Sequence, residues 1–441
     1  MDSSDALIAR FLALHPKTID LSLERVARLL ADLGHPERRL PPVIHVAGTN
    51  GKGSCIAFMR AILESAGFAA HVYTSPHLVR FHERIRLGQV GGGRFVDEER
   101  LVEALRRCED VNAGQSITVF EIITAAAFVL FSESSADVLL LEVGLGGRVD
   151  ATNVIDEPAA AVITSIGHDH AEYLGRTIPA VANEKAGIIK PGCPAVIAPQ
   201  DYLEADVTLR ERAERLGAEP IMIGGQDFSA HEERGRFVYQ DERGLLDLPR
   251  PKLFGRHQIV NAGTAIAALR AAGFGDLEAS AFEAGMERAE WPGRLQRVTR
   301  GRLPGIAPHG SEIWLDGGHN ADGARALAAS MADLEERNAA PLVLVVGMFG
   351  TKDSDAFLRH FLGLAREVIA VPVPAQVAAR PPAEIVVMAQ RLELTATTAP
   401  SVEAALASLH DYVWDRPPRV LICGSLYLAG EVLAANGTPP T

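Results

Sequence analysis

The chain has 441 residues, 47% hydrophobic and 22% charged, which is long enough for two domains with substantial cores. Its formal net charge of −13 disfavours a nucleic-acid partner, and no apolar stretch is long enough to predict a transmembrane helix. The N-terminus lacks a secretory signal pattern, and the four scattered cysteines predict neither a disulfide framework nor a zinc site. We therefore expect a cytoplasmic protein with no nucleic-acid or membrane partner.

Helix and strand patterns alternate through the first part of the chain. Helices predicted at 4–14 and 23–33 precede an apolar strand that begins at Val43. Later strands are predicted at 70–75, 137–142, 160–166 and 195–199, helices at 96–108, 178–187 and 257–272, and irregular short strands between 224 and 251. The alternation predicts a doubly wound α/β sheet, in which ligands bind beyond the carboxyl ends of the strands.

A second, smaller α/β series follows the break at Trp291-Pro-Gly-Arg294. Its strands are predicted at 312–315, 342–346, 367–371 and 420–423. The sequence therefore predicts two domains, 1–296 and 297–441.

A glycine-rich turn, Gly48-Thr-Asn-Gly-Lys-Gly-Ser54, separates the first strand from the helical pattern that follows. Backbone N–H groups of such a turn and the helix N-terminus bind phosphate oxygens, and Lys52 adds a full positive charge. The spacing departs from the standard P-loop, since Gly48 lies only three positions before Gly51. Close packing alone is the structural alternative.

Polar residues follow the predicted strands of the first domain. Ser75, Glu142 and His170 stand at or beyond strand ends, and Lys185 lies on the next helix. A hydroxyl and a carboxylate suit Mg²⁺, and a carboxylate that ends a run of three leucines is costly unless it is paired or metal-bound. A hydrogen-bonded structural role for His170 and a surface role for Lys185 are the alternatives.

Several longer motifs carry a more specific signal. They are Ala47-Gly-Thr-Asn-Gly-Lys-Gly-Ser54, Tyr73-Thr-Ser-Pro-His-Leu78, Phe81-His-Glu-Arg-Ile85, Leu141-Glu-Val-Gly-Leu-Gly-Gly-Arg-Val-Asp-Ala-Thr-Asn153, Asp169-His170, Glu184-Lys-Ala-Gly-Ile188, Pro292-Gly-Arg294, Leu315-Asp-Gly-Gly-His-Asn320 and Gly424-Ser-Leu-Tyr427. Through them the chain resembles the folylpolyglutamate synthase/dihydrofolate synthase family of the Mur ligase superfamily, over roughly residues 17–435. The resemblance implies a P-loop-containing Mur ligase-like ATPase domain followed by a smaller Rossmann-like α/β domain.

The resemblance also implies a reaction. ATP phosphorylates a substrate carboxylate, and the amine of L-glutamate attacks the acyl phosphate to give an amide, ADP and phosphate. The implied substrates are dihydropteroate, tetrahydrofolate and L-glutamate, and the implied cofactors are ATP, Mg²⁺ at two sites and a carbamylated lysine. We expect a monomer. We predict both dihydrofolate synthase and folylpolyglutamate synthase activity. Folylpolyglutamate synthase activity alone and a cell-wall Mur ligase are the alternatives.

The resemblance assigns roles to individual positions. ATP contacts are expected from Asn50, Gly51, Lys52, Gly53, Ser54, Asn261, Arg294 and Asp316. Ser75 and Glu142 match a first metal site, and His170 and carbamylated Lys185 a second one, with His168 as a neighbouring imidazole that departs from the family pattern. Pterin-side positions are Thr18, Asp20, Phe120, Glu121, Asp150 and Ala151. Arg84, His319 and Ser425 match positions near the reacting carboxylate and the incoming glutamate, and the expected catalytic set is Lys52, Glu142, His170, Lys185, Arg84 and His319.

Three other classes of protein compete with this assignment. The imperfect phosphate loop and the second α/β domain oppose a P-loop phosphotransferase or GTPase. The set Lys52, Glu142, His170 and Lys185 opposes a regulatory module without catalysis. Gly144-Leu-Gly-Gly147 lacks the spacing of a dinucleotide-binding dehydrogenase.

Overall fold

The largest element of the fold is an eight-stranded, mainly parallel sheet. A computed structural model describes residues 3–15, 19–374 and 376–441. The sheet's strands are β1 (Val43–Ala47), β2 (Ala70–Tyr73), β3 (Ile85–Leu87), β4 (Arg94–Phe95), β5 (Val138–Glu142), β6 (Ala160–Ile163), β7 (Ala195–Ile197) and β8 (Ile221–Ile223). Their order is β4-β3-β2-β5-β1-β6-β7-β8, and only β3 and β4 run antiparallel to their neighbours. This topology confirms the predicted doubly wound α/β class.

Strand register fixes which residues meet at the carboxyl edge of this sheet. Val46 of β1 is aligned with Glu142 of β5, and Ala47 is aligned with Ile163 of β6. Tyr73 of β2 is aligned with Leu141, so the chain after β2 leaves the sheet beside Glu142. Every residue of β1, β2, β5 and β6 is buried, as expected for strands covered by helices on both faces.

The chain divides into two units by its contacts, and one helix belongs to both. The first unit contains the chain up to Lys252 together with 259–290, and the second contains 253–258 and Trp291–Thr441. The main segment of the second unit thus begins before the 296/297 boundary expected from the sequence. Helices that begin in the first unit are α1 (Ser4–Phe11), α2 (Glu24–Asp32), α3 (Lys52–Ser65), α4 (Glu98–Asn112), α5 (Val119–Ser132), α6 (Ala171–Leu174), α7 (Ile178–Lys185), α8 (Leu203–Arg215) and α10 (Ala279–Arg288); α9 (Arg256–Ala271) crosses the division.

Local sequence explains where the helices near the sheet edge begin. Thr118 caps α5 by accepting the Glu121 N–H with its hydroxyl, and the Glu121 carboxylate accepts the Thr118 N–H, so the two residues form a capping box. Thr177 caps α7 through the Ala180 N–H, and Pro179 occupies the first turn of that helix. Short 3₁₀ helices cover Pro36–Arg39, Phe81–Arg84, Ala186–Ile188, Leu303–Gly305 and Leu409–Asp411.

The region predicted as irregular short strands is a regular three-stranded antiparallel sheet. Its strands are β9 (Phe228–Glu233), β10 (Arg236–Asp241) and β11 (Gly244–Leu248), in the order β11-β10-β9. Arg234 and Gly235 both have positive φ, as a two-residue type I′ hairpin requires. Gly263 of α9 lies against Ala230 with no room for a Cβ, so this sheet and α9 pack closely. The sequence interpretation missed the sheet because its exposed faces carry polar residues.

The second unit contains a six-stranded sheet of its own. Its strands are β12 (Gln296–Arg297), β13 (Glu312–Leu315), β14 (Leu342–Val346), β15 (Ala365–Ala370), β16 (Ala396–Thr398) and β17 (Arg419–Cys423). Its order is β12-β13-β17-β14-β15-β16, and all strands but β12 are parallel. The helices are α11 (Ala321–Arg337), α12 (Ser354–Arg359), α13 (Pro382–Arg391), α14 (Val402–Ser408) and α15 (Leu426–Asn436). The expected Rossmann-like second domain is therefore confirmed. In the part of the chain that the structure describes, no helix is both long and apolar enough to cross a membrane.

Candidate active site

The glycine-rich turn lies between β1 and α3, which begins at Lys52. Gly51 has φ +92°, a left-handed conformation that favours glycine, and a Cβ at this position would collide with the amide of Asn261. The Thr49 N–H donates to Ser165 O at 2.8 Å, and Thr164 Oγ1 donates to Asn50 O at 2.8 Å. The chain after β6 therefore fixes the turn. Of the residues predicted to contact ATP, the structure brings Asn261 against Gly51.

Two lysines meet at this turn. Lys52 Nζ donates to Gly48 O at 3.1 Å, and Lys185 Nζ donates to the same oxygen at 2.9 Å. Lys185 is buried, and burial together with the positive charge of Lys52 lowers the pKa of its amine to about 7, although Asp169 and Asp150 oppose the shift. Lys185 is therefore not the helix-surface cation of the alternative interpretation.

Lys185 ends α7, and the motif after β5 holds that end in place. The Arg148 N–H donates to Glu184 O at 2.8 Å, and the Asn153 amide donates to Gly187 O at 3.1 Å. A Cβ on Gly147 would lie 2.9 Å from the carbonyl oxygens of Glu184 and Lys185, so only glycine allows this approach. The glycine-rich motif after β5 thus packs on the helix end that carries Lys185.

Glu142 and Ser75 lie together at the carboxyl edge of the sheet. Glu142 is the last residue of β5 and is 6% exposed, and its Oε2 accepts the Ser75 N–H at 3.3 Å. A buried carboxylate beside a serine is a donor set that suits Mg²⁺. Among the described residues, no group of three or more His, Cys, Asp and Glu is arranged to hold a metal ion.

The two neighbouring imidazoles have different surroundings. His170 precedes α6 with φ +51°, and the Asp169 carboxylate accepts its backbone N–H at 2.8 Å. The His168 ring packs edge-on against Tyr202, with centroids 5.8 Å apart. The two imidazoles therefore differ in what surrounds them, and the metal-binding role predicted for His170 stays a prediction.

Two of the residues predicted on the pterin side, Asp20 and Glu121, bind the guanidinium of Arg25, which was not predicted from the sequence. Arg25 donates to the Glu121 carboxylate through Nε at 2.9 Å and NH2 at 2.8 Å, and to Asp20 Oδ2 through NH1 at 2.9 Å. Glu121 is 3% exposed, so this pairing offsets the cost of burying its charge. Arg25 lies in the first turn of α2, five residues after Asp20, and no sequence motif indicates it. Thr18 lies outside the described residues.

Asp150 is engaged inside the protein. Its buried carboxylate accepts Leu145 N at 2.8 Å, Thr152 N at 3.0 Å and Thr152 Oγ1 at 2.6 Å. His45 Nε2 lies 2.9 Å from the same hydroxyl, and burial lowers the pKa of His45 to about 3, so this imidazole is neutral. Burial raises the pKa of Asp150 against these bonds. Asp150 therefore shapes the loop that follows β5.

Phe120 lies under the same loop. A Cβ on Gly144 would collide with the Phe120 ring, and Tyr73 approaches that ring with centroids 6.3 Å apart. Ala151, also predicted on the pterin side, is buried. The structure thus places Phe120 between the end of β2 and the turn after β5, next to the edge that carries Glu142.

Arg84 lies at the end of the segment that joins β2 to β3. Its Nε donates to His77 Nδ1 at 2.9 Å, and its Cζ lies 5.3 Å from the centre of the Phe81 ring. Burial and the nearby Arg84 charge lower the pKa of His77 to about 4. Sequence reasoning quoted His77 only within a motif and gave it no role.

The remaining predicted residues belong to the second unit. The Asp316 carboxylate accepts Leu295 N at 2.7 Å and Gly318 N at 2.5 Å, and Arg294 packs beside Gly317. His319 Nδ1 lies 3.1 Å from Gly317 O. Ser425 caps α15 and is buried. Four predicted residues thus lie at the carboxyl ends of β13 and β17 or on the segment before β12.

The first unit has a parallel sheet whose carboxyl edge carries a glycine-rich turn, a buried carboxylate and a buried lysine, and a second α/β unit follows it along the chain. This combination defines an ATP-dependent ligase of the Mur type. The Mur ligase middle domain model matches residues 46–269, and the dihydrofolate synthetase C-terminal domain model matches residues 303–435. The chain belongs to the folylpolyglutamate synthase/dihydrofolate synthase family.

Individual relatives agree with this assignment. The chain is 40% identical over 326 residues to the dihydrofolate synthase/folylpolyglutamate synthase of Bacillus subtilis, covering 70% of this chain and 71% of the relative. It is similar to Escherichia coli FolC in complex with DHPP and ADP, with a TM-score of 0.86, 32% identity and coverage of 98% and 97% of the two chains. It is also similar to the bifunctional Yersinia pestis enzyme complexed with AMPPNP and Mn, with a TM-score of 0.85, 30% identity and coverage of 99% and 98%.

Proposed function

We propose that this ligase joins L-glutamate to the carboxylate of dihydropteroate and also extends tetrahydrofolate with further glutamates. The observation that carries the proposal is the glycine-rich turn, where Lys52 and the buried Lys185 both donate to the Gly48 carbonyl oxygen. Lys52 supplies a positive charge there, and Lys185 and Glu142 supply positions for Mg²⁺ ligands. Phosphoryl transfer to a carboxylate brings two anions together and therefore requires concentrated positive charge. Names of relatives from Bacillus subtilis and Escherichia coli support the pair of activities.

The reaction proceeds in two steps. A substrate carboxylate oxygen attacks the terminal phosphorus of ATP, ADP leaves, and an acyl phosphate forms. The neutral amine of L-glutamate then attacks the acyl carbon, phosphate leaves, and the amide remains after loss of a proton. Lys52, with Asn50, Gly51, Gly53 and Ser54, holds the phosphates of ATP in the first step.

The proposal includes two magnesium sites. Ser75 and Glu142 would hold the first, and His170 with carbamylated Lys185 would hold the second. Bound Mg²⁺ would neutralise charge that develops on the phosphates. Carbamylation requires a neutral amine, and burial with the Lys52 charge favours that form of Lys185.

The other predicted positions have separate tasks in this proposal. Asn261, Arg294 and Asp316 contact the nucleotide. Phe120 offers a flat apolar face to the pterin, and Asp20, Glu121, Asp150 and Ala151 shape its surroundings together with Thr18. Arg84, His319 and Ser425 bind the reacting carboxylate and the incoming glutamate. We further propose that the enzyme is a cytoplasmic monomer. Light scattering coupled to size-exclusion chromatography would test its oligomeric state.

The decisive experiment measures ADP release by purified protein with dihydropteroate or tetrahydrofolate, each with and without L-glutamate. We expect glutamate-dependent release with both substrates and a product heavier by one glutamyl residue. Glutamate-dependent release with tetrahydrofolate but not with dihydropteroate would indicate folylpolyglutamate synthase activity only. Release only with a UDP-linked acceptor would indicate a cell-wall ligase. No glutamate-dependent release with any acceptor would refute the ligase proposal. The variant Lys52→Ala tests the glycine-rich turn in the same assay. Its matched control is Lys252→Ala, at an exposed lysine that pairs with Glu290.

A further inference from the structure

The segment between β2 and β3 is held rigidly by its own backbone and by one carboxylate. The Thr74 N–H donates to Arg84 O at 3.0 Å, which ties the two ends of the segment together. The Glu83 carboxylate accepts the N–H groups of Leu78 at 2.7 Å, Val79 at 3.1 Å and Arg80 at 2.8 Å. Ordered hydrogen bonds to a carboxylate are among the stronger ones in proteins. These bonds fix the backbone of the segment and therefore support its side chains in defined positions.

His77 and Arg84 meet across this segment. Arg84 Nε lies 2.9 Å from His77 Nδ1. A guanidinium nitrogen can only donate, so His77 Nδ1 must accept, and the proton of the imidazole then lies on Nε2. The bond therefore fixes the tautomer of His77 and also the plane of the Arg84 guanidinium.

Phe81 completes the arrangement. Its ring is 7% exposed and packs edge-on to the His77 ring, with centroids 5.7 Å apart. The same ring lies 5.3 Å from Arg84 Cζ, within the range of a cation–π contact. A hydrogen bond and an aromatic surface thus both restrict the arginine, and both come from the segment that begins beside Ser75.

We propose that His77 is a positioning residue that holds the Arg84 guanidinium for the anionic group of the ligation reaction. The inference rests on the proposed function, which places Arg84 near the reacting carboxylate and the incoming glutamate. A guanidinium binds a carboxylate best in a fixed planar arrangement, so a rotated Arg84 would bind the same anion less well. His77 itself does not touch the substrate in this proposal.

The test is a double-mutant cycle in the full-length enzyme. We expect His77→Ala to lower kcat/KM for L-glutamate by about tenfold to a hundredfold, the range for losing a hydrogen bond to a charged group. Arg84→Ala should have at least that effect, and adding His77→Ala to it should cost little more, because the positioned group is already absent. His77→Asn should recover most of the activity, since its Oδ1 can accept the Arg84 Nε–H in place of Nδ1.

His82 provides a matched control on the same segment. Its Nε2 lies 2.8 Å from Glu98 Oε2 at the surface, and His82→Ala should leave kcat/KM unchanged. Thermal unfolding of each variant shows whether it remains folded. If His77→Ala does not fold, the cycle is built with His77→Leu, which fills much of the same space but cannot accept the Arg84 Nε–H. Independent, multiplying effects of the two substitutions, or wild-type kinetics in His77→Ala, would overturn the proposal. Failure of the wild type to ligate glutamate would instead refute the proposed function.

Discussion

Lys185 offers the sharpest test of the proposed chemistry. Its amine is buried, 2.9 Å from Gly48 O, and its pKa is lowered to about 7 by burial and by the Lys52 charge. At pH 7 about half of such amines are neutral, whereas about 1 in 3,000 would be neutral at the ordinary pKa. The site therefore raises the reactive form about a thousandfold, which is what addition of CO₂ requires.

Two consequences follow for the enzyme in solution. We expect Lys185→Ala to lose ligase activity, and short carboxylic acids to restore part of it by supplying the missing oxygen donors. We also expect removal of CO₂ and bicarbonate to inactivate the wild type slowly. At equal concentrations of dissolved CO₂, recovery should be about tenfold slower at pH 6 than at pH 8, because the neutral fraction of the amine falls from about 0.9 to about 0.1.

Glutamate-dependent ADP release measures activity, and native mass spectrometry detects the added mass of one CO₂. Lys252→Ala is the control, because that lysine is exposed and forms a surface ion pair with Glu290. Two results together would refute the reasoning: an unmodified Lys185 in fully active enzyme under bicarbonate, and full activity in Lys185→Ala. Rescue by chloride as effective as rescue by acetate would show that charge alone, and not an oxygen donor, is restored.

The remaining predictions use the same assay together with thermal unfolding. Lys52→Ala should fold and lose about 10²–10³-fold in turnover, and wild-type turnover would remove the glycine-rich turn from the mechanism. In protein free of bicarbonate and metal, the free energy of unfolding should rise from pH 7 to about pH 10, because the folded state binds fewer protons than the unfolded chain over that window. The Lys185→Met variant should lack this rise. The same dependence of unfolding free energy on pH in both proteins would contradict the buried-amine assignment. Arg25→Met should lower the melting temperature and raise KM for dihydropteroate more than KM for L-glutamate, since Glu121 loses its partner. An equal rise of both KM values would show that Arg25 has no specific role in pterin binding. Chelation of divalent metal should abolish activity, with recovery on adding Mg²⁺, and activity that persists in chelator would argue against the Glu142 metal site.

The parts of the fold that could be predicted from sequence are those with strong patterns. Strands such as Leu342–Val346 are continuous apolar runs in a parallel sheet, and their predicted and observed bounds agree. The sheet formed by β9, β10 and β11 was missed because β9 exposes most of its residues, so polar and apolar positions do not alternate cleanly. Strand ends were less certain for a similar reason, as the apolar pattern to Ile166 continues beyond the last ladder residue, Ile163.

The candidate site shows a different limit. Motifs located Lys52, Glu142 and Lys185, because glycine turns and acids at strand ends have recognisable spacing. They did not indicate Arg25 or His77, since these residues act through contacts with residues far along the chain or across a folded segment. Sequence spacing carries no information about which side chain reaches a given carboxylate, and only the fold supplies it.

The arrangement at Gly48 also suggests why Lys185, and not its neighbour, would be the modified lysine. Both amines donate to one carbonyl oxygen, but Lys185 is 5% exposed whereas Lys52 is only partly buried. Two like charges held this closely repel each other, and the protein relieves the repulsion when the more buried amine is neutral. A carbamate on Lys185 would reverse the sign of the interaction and pair with the Lys52 ammonium. One modification would then replace a repulsive contact by an attractive one and add an oxygen donor beside the phosphate-binding turn, in a chain whose net charge of −13 otherwise repels ATP.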